Sequence, residues 1–194
     1  MSLEMRVYSV LLVSSSAGFC DTMRTLLPEN RYSPVKTANS VSAAKRILAD
    51  RSFDFVIVNS PLTDGTGMQL SMDVAAGRST IPLLLVRGDI YPEVFDRTVE
   101  FGVYVLSKPL SQATTAVALA WMAASRERLR QSEKKESSFE EKMAEIRVVN
   151  RAKWLLISEL NMTEPEAHRY IEKQAMDRCV SRRVVAEDII RTYS

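Results

Sequence analysis

Val56-Ile57-Val58-Asn59-Ser60-Pro61-Leu62 is the stretch on which the fold turns. With Phe53 and Phe55 just before it, the segment is an almost unbroken apolar run. A run without polar alternation suits a strand covered on both faces of a parallel sheet. Working outward, residues 7–13 form a second run of β-type residues, 82–86 a third and 103–106 a fourth. Residues 32–36 make a weaker strand. Between them, residues 18–27 show helical spacing at Phe19, Met23, Leu26 and Leu27, and residues 40–49 at Val41, Ala44, Ile47 and Leu48. This alternation predicts an α/β domain with a doubly wound, five-stranded parallel sheet. Such folds bind ligands at the carboxyl ends of their strands.

The whole chain has 194 residues, 46% hydrophobic and 26% charged, which suffices for one large or two small domains. A net charge of +2 rules out a chain-wide basic field, so any nucleic-acid surface must be local. Cys20 and Cys179 lie too far apart in sequence to suggest a metal motif or a disulfide framework. The longest apolar stretch, residues 81–86, cannot span a bilayer, and no signal peptide is evident; a cytoplasmic location without membrane association is expected. No metal and no cofactor is expected.

Beyond residue 110 the character changes. No Pro or Gly occurs between Leu110 and Pro165, and residues 126–142 are dense in charges of both signs. A long, coiled-coil-like helix is predicted over 113–146. One heptad-like series runs Glu136, Phe139, Met143, Ile146, Asn150; an earlier one, at Leu119, Met122 and Leu129, is out of register with it. Phe139, Met143 and Ile146 are the candidate dimer seam, with Asn150 fixing its register; the alternative is a solvated connector.

Residues 147–194 read as three short helices. The first carries Val148, Val149, Ala152, Leu155, Leu156 and Leu160 on one broad face and breaks at Asn161-Met162. Thr163 with Glu166 forms a capping box, with Pro165 in the first turn of the second helix, which bears Ala167, Tyr170, Ile171 and Ala175. Ser181 is the N-cap of the third, which bears Val184, Val185, Asp188 and Ile189. The expected division is 5–112, 113–146 and 147–194.

Residues 5–112 resemble a response-regulator receiver domain of two-component systems. The resemblance rests on Val10-Leu11-Leu12-Val13 before a helix, on the stretch quoted first with Gly67 eight residues after Asn59, and on Ser107-Lys108-Pro109. The family places an acidic pair after strand one, a phosphoacceptor aspartate after strand three, a Thr or Ser after strand four and Lys-Pro after strand five. Here those positions hold Ser14 and Ser15, Asn59, Val86 or Arg87, and Lys108 with Pro109. Mg²⁺ favours hard carboxylate oxygens, and an amide supplies no anionic nucleophile. A degenerate phosphorylation site made of Ser14, Ser15, Asn59 and Lys108 is therefore expected: a pseudo-receiver. Lys108 is expected to hydrogen-bond Asn59 or a strand-end carbonyl, or to hold a small anion alongside Arg87. Asp64 is the remaining nearby acid, in the loop after Pro61. The family's cis peptide before Pro109 is expected too.

Residues 147–194 resemble an ANTAR domain, the three-helix RNA-binding output module of transcription antiterminators. The match rests on Arg151-Ala152-Lys153-Trp154-Leu155, Leu160, Thr163-Glu164-Pro165-Glu166-Ala167, Tyr170-Ile171, Gln174-Ala175-Met176, Val184-Val185-Ala186 and Ile189-Ile190. Trp154 departs from it, standing where the family often has Gly. The resemblance implies binding to hairpins in nascent mRNA leaders, in pairs that a homodimer would match, and a sensor protein docked on the pseudo-receiver. The residues themselves add a local argument. This segment has nine Lys/Arg against seven Asp/Glu, but Arg178, Arg182 and Arg183 cluster at the start of the third helix. There they oppose the helix dipole, while free N–H groups beside guanidinium groups suit phosphate. Arg151, Lys153, Arg169 and Lys173 add positive charge, and His168 and Tyr170 can stack on unpaired bases.

The reading is an RNA-binding antitermination regulator. It would stabilise a hairpin that excludes the terminator, without covalent chemistry. The rivals are a DNA-binding regulator using the last two helices as a helix-turn-helix, and a protein-interaction scaffold. An enzyme is not expected: one His, no nucleophile elbow, no metal cluster and no phosphate loop are visible.

Overall fold

A computed structural model describes residues 6–77 and 79–193. The outer limits of the expected first and last domains, Met5 and Ser194, lie outside the described residues. The chain divides into two compact units, 1–131 and 132–194.

The first unit is the doubly wound sheet. Strands β1 (Tyr8–Val13), β2 (Tyr32–Ala38), β3 (Phe55–Asn59), β4 (Ile81–Arg87) and β5 (Tyr104–Lys108) lie in the order β2-β1-β3-β4-β5, all parallel. The helices are α1 (Ala17–Leu26), α2 (Val41–Asp50), α3 (Met68–Ala76), α4 (Tyr91–Thr98) and α5 (Gln112–Leu160). Alternation within the apolar runs sorts side chains to two faces. Val10, Leu12, Phe55, Ile57, Leu83 and Leu85 pack with Cys20 and Met23 of α1 and with Leu119 and Met122 of α5. Leu11, Val13, Val56, Val58, Leu84 and Val86 pack with Ala44 of α2, Leu70 of α3 and Val94 of α4. Each apolar run is thus unbroken because both of its faces are covered.

Two sequence expectations change here. The segment 147–160 is not a separate first helix of three, because α5 runs unbroken from Gln112 to Leu160. No Pro or Gly interrupts the chain between Leu110 and Pro165, and the stop comes at Asn161, which adopts φ 54° just past the helix end. The early apolar series is not part of a heptad seam either. Leu119 and Met122 are buried in the receiver core, with Leu129 packed against it. Phe139, Met143 and Ile146 by contrast are exposed, Phe139 at 64%. The two series are out of register because they serve different surfaces.

In the second unit the tail of α5 packs with α6 (Glu164–Asp177) and α7 (Arg182–Tyr193). The core is Ala152, Leu156, Ala167, Ile171, Ala175, Val185, Ala186 and Ile189. Four alanines among eight residues let the three helix axes come close. The carboxylate of Glu166 accepts from the backbone N–H of Thr163 at 2.8 Å and from its hydroxyl at 2.7 Å, closing the start of α6. Trp154 lies outside this core, 71% exposed, and Trp121 is likewise exposed in the first unit. Among the described residues, no helix is long and apolar enough to cross a membrane.

Candidate functional site

At the carboxyl ends of the strands, β1 delivers Ser14, β3 ends on Asn59 and β5 ends on Lys108. These side chains form a hydrogen-bonded chain. Lys108 Nζ donates to Asn59 Oδ1 at 3.0 Å and also to the carbonyl of Ser60. Asn59 Nδ2 donates to Ser14 Oγ at 3.0 Å, and Ser14 Oγ in turn faces the backbone of Ser16, accepting from its N–H at 3.1 Å. Ser14 is buried and Ser15 exposed, outside the hydrogen-bonded chain. Burial, with Arg87 nearby, pushes the Lys108 ammonium below the usual lysine value. No carboxylate takes part. Arg87, opposite Lys108 in the β4–β5 register, pairs at 3.0 Å with Asp89 on the surface. The peptide bond before Pro109 is cis, as are those before Pro34 and Pro61.

Asp64 is engaged elsewhere. Its carboxylate accepts from the N–H groups of Val41 at 2.7 Å and Ser42 at 2.9 Å, and from the Ser42 hydroxyl at 2.8 Å. It therefore satisfies the N-terminal donors of α2, and those bonds hold its carboxyl below the ordinary value. Gly67, with φ 74°, starts α3 so close to β3 that a Cβ would sit 2.4 Å from Val58 Cγ1.

The opposite, amino-terminal edge of the sheet carries a network that the sequence reading missed. Asp54, directly before β3, accepts from the Ser9 N–H at 2.9 Å and the Ser9 hydroxyl at 3.1 Å. It also accepts from Arg126 Nε at 2.9 Å and from Arg130 at 2.6 Å, both on α5. Glu127 pairs with Arg130 at 2.9 Å and with Arg6, and accepts from the Tyr8 hydroxyl at 3.2 Å. Burial pushes the Asp54 carboxyl up, but the Ser9 N–H and the two guanidinium groups outweigh it and leave the pKa below normal. The signal was a single acid between Phe53 and Phe55; its partners, more than seventy residues away, look like a solvated charge run.

In the second unit the expected basic residues separate. Arg178 is tied to Asp188 at 2.7 Å, Arg183 to Glu187 at 2.8 Å and Lys153 to Glu164 at 2.7 Å. Arg182, the first residue of α7, is held only loosely, 3.5 Å from Glu145 and 3.8 Å from Glu172. Ser181 Oγ accepts from the Val184 N–H at 3.4 Å, a long cap. Arg151, Arg169 and Lys173 are exposed. Tyr170 is 40% exposed, so it is not a core residue. Exposed ion pairs stabilise little and exchange readily for another anion.

The ANTAR domain model matches residues 137–190. Transcriptional regulatory protein PdtaR of Mycobacterium tuberculosis is 24% identical over 184 residues, covering 94% of this chain and 89% of the relative. The signal receiver domain of an HD domain-containing protein from Pseudomonas fluorescens Pf-5 is 25% identical with a TM-score of 0.56, covering 69% of this chain and 96% of that one. Residues 137–190 match an ANTAR domain, and the sheet unit is similar to response-regulator receiver domains. The non-phosphorylated HemR receiver domain from Leptospira biflexa is similar too, at 26% identity and a TM-score of 0.52, over 59% of this chain and 92% of that one. The ANTAR match begins at residue 137, within the segment expected to be linker, and takes in Phe139, Met143 and Ile146. Among the described residues no group of three or more His, Cys, Asp or Glu could hold a metal ion.

Proposed function

We propose that this regulator binds RNA hairpins through its ANTAR domain and controls transcription antitermination, with a receiver domain that takes no phosphoryl group at the usual position. The observation that carries the receiver half is the hydrogen-bonded chain itself. Where the chemistry needs a carboxylate nucleophile and carboxylates for Mg²⁺, Asn59 and Ser14 spend their polar atoms on each other and on Lys108. The output half is supported by the ANTAR match and by Arg178, Arg182 and Arg183 between the end of α6 and the start of α7. The protein would act in the cytoplasm as a homodimer, its exposed Phe139, Met143 and Ile146 covered by a second copy, and a sensor protein docked on the receiver would supply the signal. The working division is 5–112 for the receiver, 113–146 for the linker and 147–194 for the RNA-binding part.

RNA and duplex-DNA gel shifts at matched salt test the output half directly. A hairpin RNA is expected to bind more tightly than duplex DNA of equal length; the reverse order favours a DNA-binding regulator, and binding to neither favours a scaffold. Across a salt series, Arg182→Ala/Arg183→Ala is expected to weaken RNA binding and to flatten the slope by about 0.7 per lost phosphate contact. Arg24→Ala/Arg46→Ala, on receiver helices, is the charge-matched control. For the dimer, light scattering on Phe139→Ser/Met143→Ser is expected to show a fall to monomer mass; an unchanged dimer rejects this seam.

A further inference from the structure

The structure of the second unit contains a cleft of about 440 Å³ formed by all three helices. It is lined by Ile146, Val149, Asn150 and Lys153 of α5, by His168 of α6 and by Arg182 of α7. Lys142 and Glu145 complete its rim. We infer that this cleft takes a single unpaired nucleotide from a hairpin loop, its base against His168 and Val149 and its phosphate on Arg182 and Lys142. The inference rests on the RNA-binding reading above and narrows it to one place.

Three features carry it. The first is size: the volume lies in the lower part of the roughly 300–1,000 Å³ range of small-molecule sites, which admits one nucleotide but no duplex. The second is composition. The cleft joins an aliphatic wall to an imidazole, an amide and cationic groups, with Glu145 the only acid among its lining residues. An aromatic ring can stack on a base, and an amide can both donate to and accept from a base edge. The third is the state of Arg182. Well-formed guanidinium–carboxylate contacts lie near 2.7–2.9 Å, as those of Arg178 and Arg183 do. Arg182 instead straddles Glu145 and Glu172 at 3.5 and 3.8 Å, so a phosphate entering the cleft replaces weak contacts rather than strong ones. Of the three clustered arginines, only Arg182 lines the cleft.

Ile146 and Asn150 also lie along the seam proposed for a second copy, so the test uses substitutions outside it. The probes are a stem-loop RNA with a 2-aminopurine loop, the same stem with an abasic loop, and the blunt stem alone, at one salt concentration. Wild-type binding is expected to change the 2-aminopurine fluorescence. His168→Ala, Arg182→Gln and Lys142→Gln are expected to weaken loop binding, His168→Ala by roughly tenfold, the size of one lost stacking contact. His168→Ala is expected to leave affinity for the abasic loop within about twofold of wild type, because stacking needs a base. Arg24→Gln and Arg191→Gln, outside the cleft, are the controls, and circular dichroism verifies that every variant is folded. If wild type prefers the loop and the cleft variants bind like it, or if the controls lose as much, the cleft assignment is overturned while RNA binding stands. If wild type binds none of the stem-loops, the RNA reading itself falls, and this inference with it.

Discussion

The two edges of the receiver sheet treat charge in opposite ways. At the carboxyl edge, where a receiver does its chemistry, Lys108, Asn59 and Ser14 are linked in a line that contains no acid. At the amino edge, Asp54 and Glu127 hold Arg126, Arg130 and Arg6 in a partly buried network. The Asp54 carboxylate fastens α5 to the sheet. At the carboxyl edge an amide and a hydroxyl group satisfy one another. Removing the acid from the other edge would strip two guanidinium groups of the carboxylate they share.

The largest expected effect tests that asymmetry. Asp54→Ala should lower unfolding stability by about 3 kcal/mol, the scale of breaking a buried charge pair, whereas Asn59→Ala should cost about 1 kcal/mol, since Lys108 keeps the Ser60 carbonyl. Urea denaturation of both variants measures the difference; equal losses would erase the distinction between the edges. The carboxyl edge depends on shape instead. Gly67→Ala should cost about 2 kcal/mol, through positive φ and the approach to Val58, and is read from the same urea midpoints.

A smaller effect is the pH dependence. The Asp54 pKa is lowered in the folded state, so its contribution is fully present above the unfolded carboxylate value, about 4. It is lost as pH falls through the folded value. Asp54→Asn should therefore flatten the acid limb of stability against pH, while Asn59→Ala leaves that limb unchanged. The smallest expected effect is zero. Acetyl phosphate with Mg²⁺ should add no mass to the intact protein, and a stable phosphoryl adduct lost on Asp64→Asn would refute the assignment of the carboxyl edge.

The sheet was legible in the sequence because each central strand is buried on both faces and so carries an unbroken apolar run, as in Val10–Val13 and Phe55–Val58. The carboxyl edge was legible because strand ends fix Ser14, Asn59 and Lys108 at readable offsets from those runs. Less could be read where partners are distant. Asp54 meets Arg126 and Arg130 only after the chain has crossed the sheet, and nothing local distinguishes those arginines from Arg128 beside them. The series Leu119, Met122, Leu129 has a spacing that serves a coiled coil or a domain core equally well, and only the neighbouring strands decide between them. The cluster Arg178, Arg182, Arg183 looked uniform, because the acids that divide it, Asp188, Glu145 and Glu187, sit on helical turns and on α5 at offsets that charge counting does not resolve.

The exposed indoles have an optical consequence. The chain's two tryptophans, Trp121 and Trp154, fall one in each compact unit, and both face solvent. Indoles exposed to this degree are expected to emit much as hydrated indole does, so unfolding should shift the wavelength little, and a melting curve followed by that shift would understate the transition. The same exposure leaves both indoles open to collisional quenchers. With Trp121→Phe, Trp154 alone would report on the second unit, and loss of quenching there would register whatever covers its face of α5 without any label on the protein.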